Sequence, residues 1–140
     1  MVLQGLDVEV IARKDPIDGV EVHAVCGDLV PIRYMIVDLD QRPPTITASV
    51  DDRSLSPDAS EVVDEPVIFP YRVSRSEPEV FSVYAQARRC HCTWRARLRW
   101  VSGDRTGESV INDSGKPFVT HGTDGLTRYI SNFGEPLARE

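Results

Sequence analysis

The stretch from Cys92 to Val101, Cys-Thr-Trp-Arg-Ala-Arg-Leu-Arg-Trp-Val, constrains the fold more than any other. Cys92, Trp94, Ala96, Leu98 and Trp100 fall on one parity, and Thr93, Arg95, Arg97 and Arg99 on the other. A period of two belongs to a strand with one buried and one wet face, whereas a helix would scatter these side chains round its axis. Both tryptophans of the 140-residue chain lie on the apolar parity, and each can bury about 200 Å². The sequence therefore predicts a strand through the middle of the core, indoles inward and guanidinium groups outward.

The flanking segments repeat the theme. Leu6 to Ala12 alternates, with Leu6, Val8 and Val10 against Asp7, Glu9 and Ile11, and Asp15-Pro16-Ile17-Asp18-Gly19 carries the residues of a reversal. Val20 to Cys26 reads as a second strand, closed by Gly27-Asp28. Leu29 to Leu39 is a longer apolar segment whose Pro31 belongs near a strand start or on an edge. Thr45 to Val50 is short and β-rich, and Pro66 to Val73 is a strand hemmed by prolines. Val80 to Ala87 leads through Arg88-Arg89-Cys90-His91 into the Cys92 strand, so residues 80–101 are expected to form an antiparallel hairpin. Glu108 to Ile111 and Phe118 to His121 complete the strands. Near the end, Leu126, Tyr129, Ile130 and Phe133 recur at i, i+3, i+4 and i+7. With Thr123 or Asp124 as N-cap and Gly134 as C′ residue, they predict one short C-terminal helix. Short strands at regular spacing with turn chemistry between them predict an all-β fold: a single antiparallel β-sandwich, immunoglobulin-like in architecture, over residues 1–140 as one domain. Residues 51–60, polar, Ser/Asp-rich and interrupted by Pro57, are expected as an exposed loop within it.

No apolar run approaches the roughly 20 residues that span a bilayer, and the first residues lack the basic start and apolar segment of a secretory signal. A cytoplasmic protein is the expectation. Three cysteines, Cys26, Cys90 and Cys92, are too few for a disulfide framework, and they are expected to be reduced. The net charge of −6 is unevenly placed: residues 1–79 hold 16 acids against 7 bases, and residues 80–140 hold 6 against 9. From Arg88 to Arg105 there are six arginines (88, 89, 95, 97, 99 and 105) and one acid, Asp104.

Two clusters invite chemistry. Cys90-His91-Cys92 sets two sulfurs on one side of a strand, and Cys26, His23 or His121 could complete a tetrahedral zinc shell. The spacing falls short of zinc knuckles, the Cys-x-x-Cys of redox pairs is absent, and Cys92 continues the apolar row as a small core residue. No metal and no cofactor is assigned, and a small metal site at Cys90/Cys92 stands as an alternative. The second cluster is the arginine row, Arg95, Arg97 and Arg99 with Arg88, Arg89 and Arg105 near its ends. Arginines at every second position repeat at about 6.6–6.8 Å and suit carboxylate or phosphate recognition. Their expected partners are carboxylates on neighbouring strands or on another protein, with Asp38, Asp40, Asp51, Asp52, Asp64 and Glu65 available in the acidic half. Nucleic-acid contact is the alternative, against which stand a pI of about 5.0 and the absence of interleaved aromatics on the arginine parity. His23, His91 and His121 form no catalytic set that spacing can place, and no nucleophile elbow, phosphate loop or dinucleotide fingerprint occurs.

The segment from Val67 to Val119, through Pro70-Tyr71-Arg72-Val73-Ser74, Glu77-Pro78-Glu79, the Cys92–Trp100 strand and Gly115-Lys116-Pro117-Phe118, resembles a β-rich segment of uncharacterised actinobacterial proteins. The resemblance covers about the C-terminal half and implies neither an activity nor a site. The sequence thus predicts a non-enzymatic domain that binds a protein partner or a copy of itself through the arginine face, using the charge polarity between its halves.

Overall fold

The computed structural model describes residues 1–24, 32–49, 66–76, 79–131, 136 and 138–139. These form strands and no helix: β1 (Val2–Lys14), β2 (Val20–Ala24), β3 (Ile32–Asp38), β4 (Thr45–Ser49), β5 (Tyr71–Arg72), β6 (Val80–Gln86), β7 (His91–Ser102), β8 (Arg105–Ile111), β9 (Phe118–Thr120), β10 (Thr127–Ser131) and β11 (Ala138–Arg139). The all-β class holds. The strands divide among three sheets, β5-β1-β7-β8 with β9 also on β7, β4-β3-β6, and β11-β10-β2.

The predicted central strand is central. β7 pairs antiparallel with β1 along nearly its whole length, and with β9 and then β8 on its other side. Cys92, Trp94 and Ala96 are buried, and with Leu6 of β1 they meet Met35 and Val37 of β3, Leu39 and Ala87. The core therefore lies between the inner face of the five-stranded sheet and the β4-β3-β6 sheet. Trp94 is 6% exposed; its ring packs against Phe118 with centroids 4.8 Å apart, and its Nε1 donates to Thr120 Oγ1 at 2.9 Å. Trp100 departs from expectation, for it is only half-buried. Its indole lies across Gly107, its cross-strand partner, so closely that a Cβ there would stand 2.4 Å from the ring. Its Nε1 donates to Ser109 Oγ at 3.1 Å.

Several expectations are corrected. Residues 127–131 form a strand, not a helix, and pair in parallel with β2; in Thr-Arg-Tyr-Ile-Ser the β-branched and aromatic side chains fit a pleated surface, and a long-range partner decides between two readings of one apolar pattern. The 80–101 hairpin does not form. β6 pairs in parallel with β3, from Ile32↔Val80 to Asp38↔Gln86, and the Arg88–His91 segment carries the chain from one sheet to the other. The reversal at residues 15–19 likewise ends with β1 and β2 in different sheets. With three sheets and two parallel pairings, the arrangement is not one purely antiparallel sandwich. Pro66 to Val73 contributes only β5, at the edge beside β1. Cys26, the Gly27-Asp28 turn, Pro31, the loop at 51–60, Asp64, Glu65, Phe133 and Gly134 lie outside the described residues.

One polar knot ties β3, β5 and the start of β6 together. The Glu79 carboxylate accepts from the Arg33 guanidinium and, at 2.5 Å, from the Tyr71 hydroxyl. The guanidinium sits 5.2 Å from the centroid of the Tyr71 ring, which meets Phe81 edge-on. The Arg33 hydrogen bond, followed by that of Tyr71, holds the Glu79 carboxyl below its ordinary value of 4.5. A carboxyl depressed on folding contributes stability above its unfolded value, and that contribution is lost as pH falls through the folded one. Glu79→Gln should cost about 1.5–3 kcal/mol at pH 7, the range for hydrogen bonds to charged groups. The gap to wild type should shrink in thermal melts taken from pH 7 down to pH 3; a constant gap would contradict the ionic origin.

Candidate functional site

The outer face of the five-stranded sheet carries the arginine row, and each member has a definite place. Arg95 pairs with Glu9 at 2.8 Å, Arg97 with Glu9 at 3.1 Å and Glu108 at 3.5 Å, and Arg99 with Asp7 at 2.8 Å. The partners are carboxylates of neighbouring strands β1 and β8, as a paired row requires. They are not Asp38 or Asp40; Asp51, Asp52, Asp64 and Glu65 lie outside the described residues. β1 brings residues from the acidic half beside the basic strand, and the pairing register sets Asp7 opposite Arg97 and Glu9 opposite Arg95. The Arg95 hydrogen bond, with Arg97 beside it, holds the Glu9 carboxyl below its usual range and outweighs desolvation. Such half-exposed pairs add little stability and chiefly fix where the guanidinium groups point. Arg97 spends its two terminal nitrogens on two carboxylates, and its Nε is buried without a partner among the described residues.

Arg88, Arg89 and Arg105 are not part of that ladder. Arg105 is exposed at the start of β8. Arg88 pairs with Asp124 at 3.0 Å, and the backbone N–H groups of Arg88 and Arg89 donate to the two oxygens of Asp40 at 2.8 and 3.2 Å. Asp38 accepts from the Asp40 N–H and from the Gln41 side chain. Both aspartates therefore build the turns at this end of the core. Asp124 N–H donates to the Arg88 carbonyl at 2.9 Å, and Gly122 packs so closely that a Cβ would stand 2.7 Å from the Arg88 carbonyl oxygen and 3.0 Å from Cys90 N. Residues 88–90 are clamped from three directions.

Within this clamp sits a disulfide. Cys90 and Cys92 are joined, with Cα atoms 5.3 Å apart, so the expectation of reduced cysteines is overturned for this pair. The bridge closes a loop of one intervening residue. Restricting so short a loop in the unfolded chain contributes only about 1.6 kcal/mol in the chain-entropy account. Beside the sulfurs stands Arg13, Nη1 at 3.8 Å from Cys90 Sγ and 3.6 Å from Cys92 Sγ. The same guanidinium donates to the Leu39 carbonyl and, at 3.1 Å, to that of Gln41.

Arg13 went unsuspected in the sequence because a strand with regular alternation would point it outward. β1 holds Leu6, Val8 and Val10 inward and Asp7 and Glu9 outward. Between Val10↔Trp94 and Ala12↔Thr93 it then gains one residue, Ile11. This bulge reverses the sidedness of residues 12–14, sets Arg13 opposite Cys92, and turns a guanidinium into the core face, a use of bulges common beside functional groups. The one sequence signal is the break in alternation at Ile11-Ala12-Arg13.

No family model, no curated protein and no solved structure matches this chain.

Among the described residues no three His, Cys, Asp or Glu side chains converge as metal ligands. The sulfurs of Cys90 and Cys92 are bonded to each other, and Cys26, a candidate third ligand, lies outside the described residues. His91 and His121 meet with their Nδ1 atoms 2.7 Å apart, one donating and the other accepting, on a part of the surface where His91 pairs with Lys14 in the outward register. His23 belongs to β2, in the separate sheet. No helix of the described residues is long and apolar enough to cross a membrane.

Proposed function

We propose that the protein is a non-enzymatic binding domain that self-associates through the outer face of its five-stranded sheet. The observation that carries this reading is the makeup of that face. Ile11, Val110 and Val119 stand 47%, 50% and 51% exposed on the side to which Arg95, Arg97 and Arg99 also point. Arginine is the charged residue enriched at protein interfaces, and exposed aliphatic side chains beside it add apolar area that association would bury. The charges of the ladder come in equal numbers, three guanidinium groups against Asp7, Glu9 and Glu108. A face of mixed sign suits a copy of itself related by a two-fold axis, where each arginine can lie over a carboxylate of the other chain. A polyanion is the poorer fit, since phosphates would meet carboxylates along with guanidinium groups.

Light scattering coupled to size exclusion tests it. A dimer is expected at about 100 μM, well above the micromolar dissociation constants of modest interfaces, and Val110→Asp with Val119→Asp should return it to monomer, its melting temperature losing the concentration dependence that association gives the wild type. A monomeric wild type over the whole concentration range, or a gel shift with DNA or RNA at low salt, would sink the proposal.

A further inference from the structure

The opposite end of β7 has a chemistry that self-association does not use. We propose that Cys90–Cys92 is a thiol–disulfide exchange site for a small thiol bearing net negative charge.

Access decides which sulfur is attacked. Cys90 lines a cavity of about 620 Å³ and retains 6% exposure, whereas Cys92 is wholly buried. A thiolate entering the cavity meets Cys90 Sγ first. Attack forms a bond between the incoming sulfur and Cys90 Sγ and breaks the bond to Cys92 Sγ, whose electron pair leaves as the Cys92 thiolate. A second thiolate then attacks the mixed disulfide at the small thiol's sulfur, releasing Cys90 as thiolate. The two small thiols are oxidised to their disulfide, the protein pair is reduced by the same two electrons, and the thiolates take protons from water as their environment allows.

Two features of the cavity favour this step. Arg13 stands beside both sulfurs, 3.6 Å from the leaving Cys92 Sγ, and a cation beside a developing thiolate lowers its basicity and makes it a better leaving group. The walls are cationic: Arg13, Lys14, Arg42 and Arg89 outnumber Asp15 and Asp40, and both oxygens of Asp40 are already occupied by backbone N–H groups. The volume falls within the roughly 300–1,000 Å³ of small-molecule sites. An anionic thiol is concentrated there, and a cationic one repelled. Because the bridge spans one residue and the clamps on residues 88–90 do not pass through it, it can open while the sheet stays paired.

The test uses oxidised Cys26→Ser protein, in which Cys90 and Cys92 are the only cysteines, offered reduced glutathione, 2-mercaptoethanol or cysteamine at equal thiolate concentration. Rapid alkylation and intact mass follow bridge opening. The anionic thiol should react fastest and the cationic one slowest, with a spread of about tenfold or more at low salt that collapses in about 1 M salt, where the Debye length is only about 3 Å. Glutathione disulfide offered to the Cys92→Ser variant of this protein should leave the adduct on Cys90. If either variant does not fold, the same thiol series on the wild-type chain, read by peptide mapping, decides alone. Absence of the bridge in oxidised protein, or a rate order indifferent to thiol charge, overturns the proposal.

Discussion

Trp94→Ala should lower stability by about 3–5 kcal/mol, the cost of emptying a large aromatic site in a core that cannot fully collapse. The indole lies where β1, β7 and β9 meet the β3 sheet, packed on Phe118 and with its N–H satisfied by Thr120. Its removal leaves a void and strands the Thr120 hydroxyl. Since domains of this size have about 5–15 kcal/mol in total, the variant should be close to unfolded at 37 °C. Urea denaturation followed by circular dichroism measures it, because fluorescence would lose one of its two reporters. Trp100→Ala is the internal comparison: this indole is half-exposed on Gly107, so its loss should be clearly smaller. Equal losses would mean that the core is not centred on the Trp94 end of the strand.

Gly122→Ala should have the second largest effect, about 2–3 kcal/mol, the upper part of the range for overpacking. The added methyl group would press on the Arg88 carbonyl oxygen at 2.7 Å and on the Cys90 backbone at 3.0 Å. Backbone cannot rotate aside as a side chain can, so the link between residues 120–124 and the clamped 88–90 segment has to open. The Asp124 N–H to Arg88 carbonyl bond and the Arg88–Asp124 ion pair should go with it. Gly19→Ala serves as control, as a Cβ there meets nothing within 4 Å, and surface changes of that kind stay within about 0.5 kcal/mol. A neutral Gly122→Ala would show that the two segments are not held in contact in solution.

Legibility in the sequence depends on the range of the interactions involved. The β7 strand is legible because parity is a local property: every second residue from Cys92 to Ala96 is apolar, and every one of these is buried. The outward guanidinium groups are legible for the same reason. Which carboxylates they meet is not, since Asp7 and Glu9 reach them across some 90 residues of chain. Non-local pairing also defeats the C-terminal helix, where the spacing of Leu126, Tyr129 and Ile130 satisfies one period and a parallel partner at Val20–Ala24 selects another. The 80–101 hairpin fails because β6 finds β3 instead of its neighbour in sequence. The disulfide is hidden because its spacing matches no familiar redox or metal motif, and Arg13 because a single inserted residue moves it from one side of the sheet to the other.

That insertion has a consequence for how this chain can change. A pleated strand counts its residues in twos, so the number of residues between Val10 and Arg13 fixes whether a positive charge ends beside sulfur or in water. Loss of one residue there would leave every hydrogen-bonded ladder repairable and every amino-acid type intact, yet would shift the charge to the wrong side. At this place, chain length is itself part of the chemistry.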